Sequence, residues 1–339
     1  MEISKKYNVE PIENNESDFI TDKVRSSCYY VNKLSQHVRI NLNNLQKFVI
    51  EKKHLFNQIP SWTSCHFNPN DFEFEHVIAF ICVIDSLNFC FWPYEEIKTQ
   101  SEEDFEYSNL VSNLLRLLRK EPSFYTPENL SNLTPQLCLE KIFFSIKDFP
   151  LIEERTRSLN ELGKLILSKY ERKFKNFIFL NKNDCTEVVK SITEGVSTFR
   201  DETLYKGRQI FFYKRAQILA ADLYYACKEL SEPIILSNAG QLTMFADYRI
   251  PQILNEYNIL EYDEDLTRKI VNKEEIISCT QTEIEIRANT VVCVEMIKEE
   301  IGKISNECLS LEVDYVLWNV GEELRKEIKP HHRTISIFY

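Results

Sequence analysis

Apolar side chains along this chain recur mostly at three- and four-residue intervals, the spacing that gathers them on one face of a helix. In RQIFFYKRAQILAADLYYACKEL, Phe212, Ala216, Leu219, Leu223 and Cys227 form one such stripe. Lys214 falls off it and can carry its cation toward a cleft. The stretch Ser26–Leu55 predicts two helices, and Leu151–Tyr170 predicts another. The run FEHVIAFICVIDSL is apolar all round, so period does not separate a buried helix from a strand; Asn70–Asp71 with Glu73 reads as a capping start and favours the helix. Thr126-Pro127 and Thr134-Pro135 each set a capping threonine before a proline suited to the first helical position.

Pro251 predicts a helix over Pro251–Tyr257, with Asn258 able to take the left-handed turn that ends it and a further helix beginning near Glu264. Helix, tight turn and helix in this order suggest a helix-hairpin-helix unit. No proline lies between Pro251 and Pro330, which permits long helices at about Arg287–Lys303 and Glu312–Lys326. The closing RTISIFY alternates and predicts a short strand that pairs with Phe177–Leu180. Residues 1–20 form a polar lead, and residues 21–339 are expected to fold as one mainly α domain with a few short strands.

Composition narrows the chemistry. Of 339 residues only 6 are glycine, and no two lie close enough to make a GxG pair. Rossmann and Walker-type phosphate loops are excluded, and so is the GxSxG nucleophile elbow. No Asn-Gly or Asp-Gly dipeptide occurs, which removes the usual two-residue hairpin signal. The 10 cysteines include no CxxC pair and read as reduced thiols, several of them core fillers. There is no HExxH, and His331 and His332 are adjacent, so neither metal nor organic cofactor is expected. The formal charge of -11 and the acidic run Glu95–Glu106 argue against long nucleic acid as a partner. No apolar run is long enough to cross a membrane, so a cytoplasmic protein is expected, and a monomer.

Carboxylates beside aromatics remain as candidate chemistry. Asp247, in Phe245-Ala246-Asp247-Tyr248-Arg249, precedes a helix start and can lie near unpaired amides. Asp314 and Trp318 share a helix face at i,i+4, with Asn319 following. Asn88 leads into Phe89-Cys90-Phe91-Trp92, which can form a stacking wall or simply core. Spacing alone names no reaction.

Several phrases go further. Asp85-Ser86-Leu87-Asn88-Phe89-Cys90-Phe91-Trp92, Leu151-Ile152-Glu153-Glu154-Arg155, Phe199-Arg200-Asp201, Tyr213-Lys214-Arg215-Ala216-Gln217, Glu283-Ile284-Glu285-Ile286-Arg287-Ala288 and Val313-Asp314-Tyr315-Val316-Leu317-Trp318 occur in order, with Phe245-Ala246-Asp247-Tyr248-Arg249 and Pro251-Gln252 the most specific among them. Together they resemble the queuosine salvage proteins, over roughly residues 25–339. The resemblance implies a helical fold similar to helix-hairpin-helix DNA glycosylases. It also implies cleavage of the N-glycosidic bond of queuosine 5'-monophosphate, with release of queuine. Asp247 then matches the catalytic aspartate, while His66, Phe245, Asp314 and Trp318 match base-pocket positions. Lys214 would contact phosphate or ribose, and Asn88, Phe89, Trp92, Arg249 and Asn319 are counted with the substrate-binding set. At Asn319 the family commonly has aspartate, so a charge is missing there. A DNA glycosylase acting on modified bases, and a non-catalytic queuosine-nucleotide binding module, are the alternatives.

Overall fold

Fifteen helices and two small antiparallel sheets make up the computed structural model, which describes residues 19–57, 59, 61–92, 105–144, 146, 149–305 and 307–339. Most of the polar lead and of the acidic run, residues 1–18 and 95–104, lies outside the described residues. The chain opens with α1 (Asp22–Leu34), β1 (Val38–Ile40), α2 (Leu42–Lys52), the single-turn α3 (Trp62–Cys65) and α4 (Phe74–Leu87). Next come α5 (Tyr107–Lys120), α6 (Pro127–Ser131), α7 (Pro135–Ile142), α8 (Ile152–Lys169), α9 (Lys175–Phe179) and α10 (Cys185–Gly195). A hairpin of β2 (Glu202–Tyr205) and β3 (Arg208–Phe211) leads into α11 (Lys214–Lys228). The last part holds α12 (Arg249–Glu256), β4 (Leu260–Tyr262), α13 (Glu264–Val271), α14 (Gln281–Ile304) and α15 (Ser310–Leu324).

Local chemistry sets many of these boundaries. The Thr126 and Thr134 side chains accept from the amides of Asn129 and Leu137, each just ahead of a proline at the helix start. Asp184 and Asp263 cap α10 and α13 in the same way. The α4 helix forms as predicted but for a different reason: Glu73 makes no capping bond, and the Asn70 side chain accepts from Ser231 and donates to Glu229 instead. What makes α4 is burial, since every residue from Val77 to Leu87 is inside.

Three expectations change. Between α12 and α13, Asn258 does adopt a left-handed φ of 52°, but the chain then forms β4, which pairs antiparallel with β1. The two helices are thus joined through a strand and not by the tight turn alone that the sequence suggests. The closing RTISIFY is not a strand, and Phe177–Leu180 is no partner for it, because Phe177 sits in α9. Its alternation comes from wrapping a small apolar cluster in which Tyr339 packs with Phe89, Cys90 and Trp92. Finally, the β2–β3 hairpin turns on Lys206 and Gly207, at φ 46° and 81°, so lysine fills the place where asparagine is usual.

One continuous apolar core takes side chains from α1 through α15, with α4 and α14 deepest. Two fully buried arginines finish the C-terminal end of α4. Arg155 donates to the carbonyls of Leu87, Phe89 and Cys90, and Arg215 to those of Asp85, Ser86 and Thr198. Guanidinium groups suit this end because its last carbonyls lack intrahelical partners and carry partial negative charge.

A second buried pair joins distant segments. On α14, Arg287 grips both carboxylate oxygens of Asp201, at 2.9 and 2.5 Å, and its Nε donates to the Ala246 carbonyl at 3.2 Å. Its guanidinium also lies 4.0 Å from the Phe212 ring centroid. The Asp201 carboxylate in turn accepts from the Lys214 amide, starting α11, and its carbonyl accepts from Phe212 and Tyr213. Removing one partner of such a pair strands a charge in the interior, at a cost of about 3–5 kcal/mol. Asp201→Ala should therefore lower unfolding free energy by about that amount in denaturant titration, whereas a loss below about 1 kcal/mol would show that the pair does not anchor the fold.

Candidate active site

The helix starts of α11 and α12 face a cavity of about 740 Å³ together with α15 and the loop after α4. Lys214 is the first residue of α11, held there by Asp201, and its Nζ donates to the Asn88 carbonyl at 3.2 Å. The residue before it, Tyr213, takes a left-handed φ of 52°, a conformation that costs a non-glycine residue about 1–2 kcal/mol. Its hydroxyl hydrogen bond to Glu202, at 2.7 Å, helps hold it. Burial lowers the Lys214 pKa to about 8, against the opposing pull of Asp247.

Asp247 meets the expectation for its place before a helix. Its Oδ1 accepts from the amides of Arg249 and Ile250, both at 3.0 Å, so the helix start fixes the carboxylate at the cavity wall. Burial raises its pKa, while Lys214, the two amides and Arg249 oppose the rise. Asp314 on α15 accepts from the Phe245 amide at 2.9 Å and is driven well above the usual carboxylate range, first by burial and then by Asp247. Of the two acids in this pocket, Asp314 is shifted further upward, because Asp247 has the Lys214 cation and two helix-start amides to offset its burial.

Aromatic rings form the rest of the wall. The Tyr107 ring meets His66, Phe91 and Trp318 edge-on, at centroid separations of 6.0, 5.9 and 6.3 Å. His66 Nε2 is 2.9 Å from the Tyr107 hydroxyl and Nδ1 is 3.2 Å from the Trp62 carbonyl. Burial pulls the His66 pKa down to about 4, so the ring is neutral near pH 7. Trp92 lines the cavity beside Tyr248 and His331. Arg249 does so too, while donating to Glu322 at 2.8 Å. Gly321 makes room for that arginine, because a Cβ there would lie 2.6 Å from the Arg249 side chain.

Of the residues singled out from sequence, His66, Asn88, Trp92, Lys214, Phe245, Asp247, Arg249, Asp314 and Trp318 all line this cavity. Phe89 and Asn319 do not. Phe89 is fully buried, with the Arg155 and Arg215 guanidiniums 4.2 and 4.7 Å from its ring, which makes it part of the α4 cap. Asn319 turns its amide back along α15 to the Tyr315 carbonyl at 2.7 Å. Sequence reading missed Tyr107, Asp222 and His331. A signal for Asp222 existed: Lys214, Ile218 and Asp222 recur every fourth residue on α11, off the apolar stripe, and all three line the cavity.

Comparison with known proteins agrees with these motifs. The sequence model for the family described as queuosine salvage protein matches residues 65–339. A Dictyostelium discoideum protein named queuosine 5'-phosphate N-glycosylase/hydrolase is 36% identical over 329 residues, 93% of this chain and 98% of the relative. Proteins of the same name from Sphaerobacter thermophilus and Mus musculus are 33% and 31% identical, covering 78% and 83% of this chain and 82% and 88% of their own. The chain belongs to the queuosine salvage protein family.

Proposed function

We propose that this protein hydrolyses the N-glycosidic bond of queuosine 5'-phosphate, releasing queuine, with Asp247 as the catalytic carboxylate. The names of its relatives support the substrate. The observation that carries the residue assignment is the anchoring of Asp247: one oxygen is pinned by two helix-start amides at the edge of a nucleotide-sized cavity, beside the Lys214 cation.

The chemistry follows from the charges. Cleavage of an N-glycosidic bond passes through an oxocarbenium-like state, and a carboxylate held beside the anomeric carbon stabilises the developing positive charge. The same carboxylate orients a water for attack on that carbon. The water oxygen ends on the sugar, and the base leaves with a proton. A 7-deazapurine lacks the N7 that could take a proton directly, so its departure needs hydrogen bonds elsewhere on the base. Asp314, whose protonated form burial and the neighbouring Asp247 favour, is a donor suited to that role, and the rings of Phe245, Trp318 and Tyr107 offer a slot for stacking. Lys214 is a cation for ribose or phosphate.

Replacing Asp247 by Asn keeps an oxygen for the helix amides and removes the charge. Queuine release, followed by mass spectrometry, should fall at least 1000-fold in Asp247→Asn with an unchanged melting profile; turnover near that of the unaltered protein would contradict the assignment. The pH profile supplies a second check. Because the Asp247 pKa is raised, its anion is lost at a higher pH on acidification than for an ordinary carboxylate; because that of Lys214 is lowered to about 8, its cation is lost as pH rises through about 8. The dependence of kcat/KM on pH should be bell-shaped with its basic limb near 8. Lys214→Arg should move that limb upward, and an unmoved limb would remove Lys214 from the reaction.

A further inference from the structure

Two turns along α11 from Lys214, about 12 Å at the helical rise, Asp222 stands on the same cavity wall. Its side chain is 16% exposed. Among the described residues no lysine or arginine lies within ion-pair distance of it, and the nearest basic group, His66 Nε2, is 3.9 Å away. That imidazole is held neutral by burial and takes the Tyr107 hydroxyl as its partner. The surrounding polar atoms are short of hydrogen bonds. Neither carboxyl oxygen of Asp85, fully buried on α4, has a hydrogen bond of normal geometry, the Asn88 side chain being its neighbour, and the Trp62 indole nitrogen, also without such a bond, faces Asp222. Native interiors rarely leave several buried polar groups unmatched in one place, and such sites commonly await a ligand.

The charges on these groups point to the kind of ligand. Burial, and then Asp222 itself, push the Asp85 carboxyl well above its usual range, which favours its neutral form. Burial raises Asp222 to about 7, which leaves it partly ionised at the end of the cavity with no protein cation beside it. A ligand ammonium would supply the missing counter-charge and restore full ionisation.

We propose that Asp222, with Asp85 behind it and His66 and Tyr107 beside it, recognises a protonated amine carried by the substrate base. This inference rests on the cavity being the queuosine 5'-phosphate site, where the base bears a secondary amine on its 7-substituent. Asp247 and Lys214 then serve the sugar end, and Asp222 the far end of the base. The distance along α11 matches a deazapurine plus a short side chain. Asn319, whose side chain turns to its own helix, stays out of this contact. The amine is read by a different element.

Calorimetric binding of the free bases tests this without turnover. The protein should bind queuine at least 10-fold more tightly than 7-deazaguanine and than a queuine analogue with methylene in place of the amine nitrogen. In Asp222→Asn the affinity for queuine should drop at least 10-fold and that for 7-deazaguanine less than 2-fold. Equal affinities for queuine and the methylene analogue in the unaltered protein, or equal losses for both bases in the variant, would overturn the assignment. The comparison within the unaltered protein stands even if Asp222→Asn fails to fold. Selective queuine binding without cleavage of queuosine 5'-phosphate would support Asp222 while overturning the hydrolase reading, so the two fail separately.

Discussion

The buried ion pair between Arg287 and Asp201 is the constraint on which the site depends. Lys214 and Asp247 lie on separate segments, and among the described residues no backbone hydrogen bond joins the two helix starts. The pair joins them: Asp201 holds the Lys214 amide, and Arg287 holds the Ala246 carbonyl, one residue from Asp247. A charge pair in a dry interior contributes little net stability, because desolvation offsets most of the attraction. It does fix geometry, since two bidentate groups tolerate few alternative arrangements. The Asp247 carboxylate and the Lys214 cation are thereby tied to α14, a helix that does not border the cavity.

Scarcity of glycine shapes the rest of the design. Among the described residues, twelve non-glycine side chains adopt positive φ, while Gly207 is the one glycine that does. Tyr213 immediately precedes Lys214, and Cys90 lies in the loop that carries Trp92, so some of that strain sits directly behind the cavity wall. With no flexible phosphate loop available, the polar ends of a nucleotide must be met by helix starts and by side chains. Asp247 on its two amides and Lys214 at the head of α11 are groups of this kind at the cavity wall. The arginines that close α4 place Asn88 and Trp92 by the same means, using side-chain donors where a glycine turn is more usual.

Much of this was legible in the sequence where the signal is local. The two Thr-Pro starts, the left-handed Asn258 and the position of Asp247 ahead of a helix all follow from backbone chemistry within a few residues. Lys214 was legible because it breaks an apolar stripe. The remainder depends on contacts between distant segments. Phe89 looked like a pocket aromatic, but two arginines from α8 and α11 draw it into the helix cap. The alternating C-terminus looked like a strand, yet its apolar residues answer to a satellite cluster and not to a neighbouring strand. Asp222 carried the right spacing but had no local reason to be distinguished from any surface acid on a helix.

Family membership, the paired acids and the aromatic walls converge on one reaction, in which a mononucleotide is split into base and sugar phosphate. A single-turnover experiment, with protein in excess over queuosine 5'-phosphate and quantification of both products after quenching, tests that claim most directly. The account predicts one equivalent each of queuine and ribose 5-phosphate, formed together. Recovery of intact nucleotide from a stoichiometric complex would contradict it and leave a binding protein in place of an enzyme.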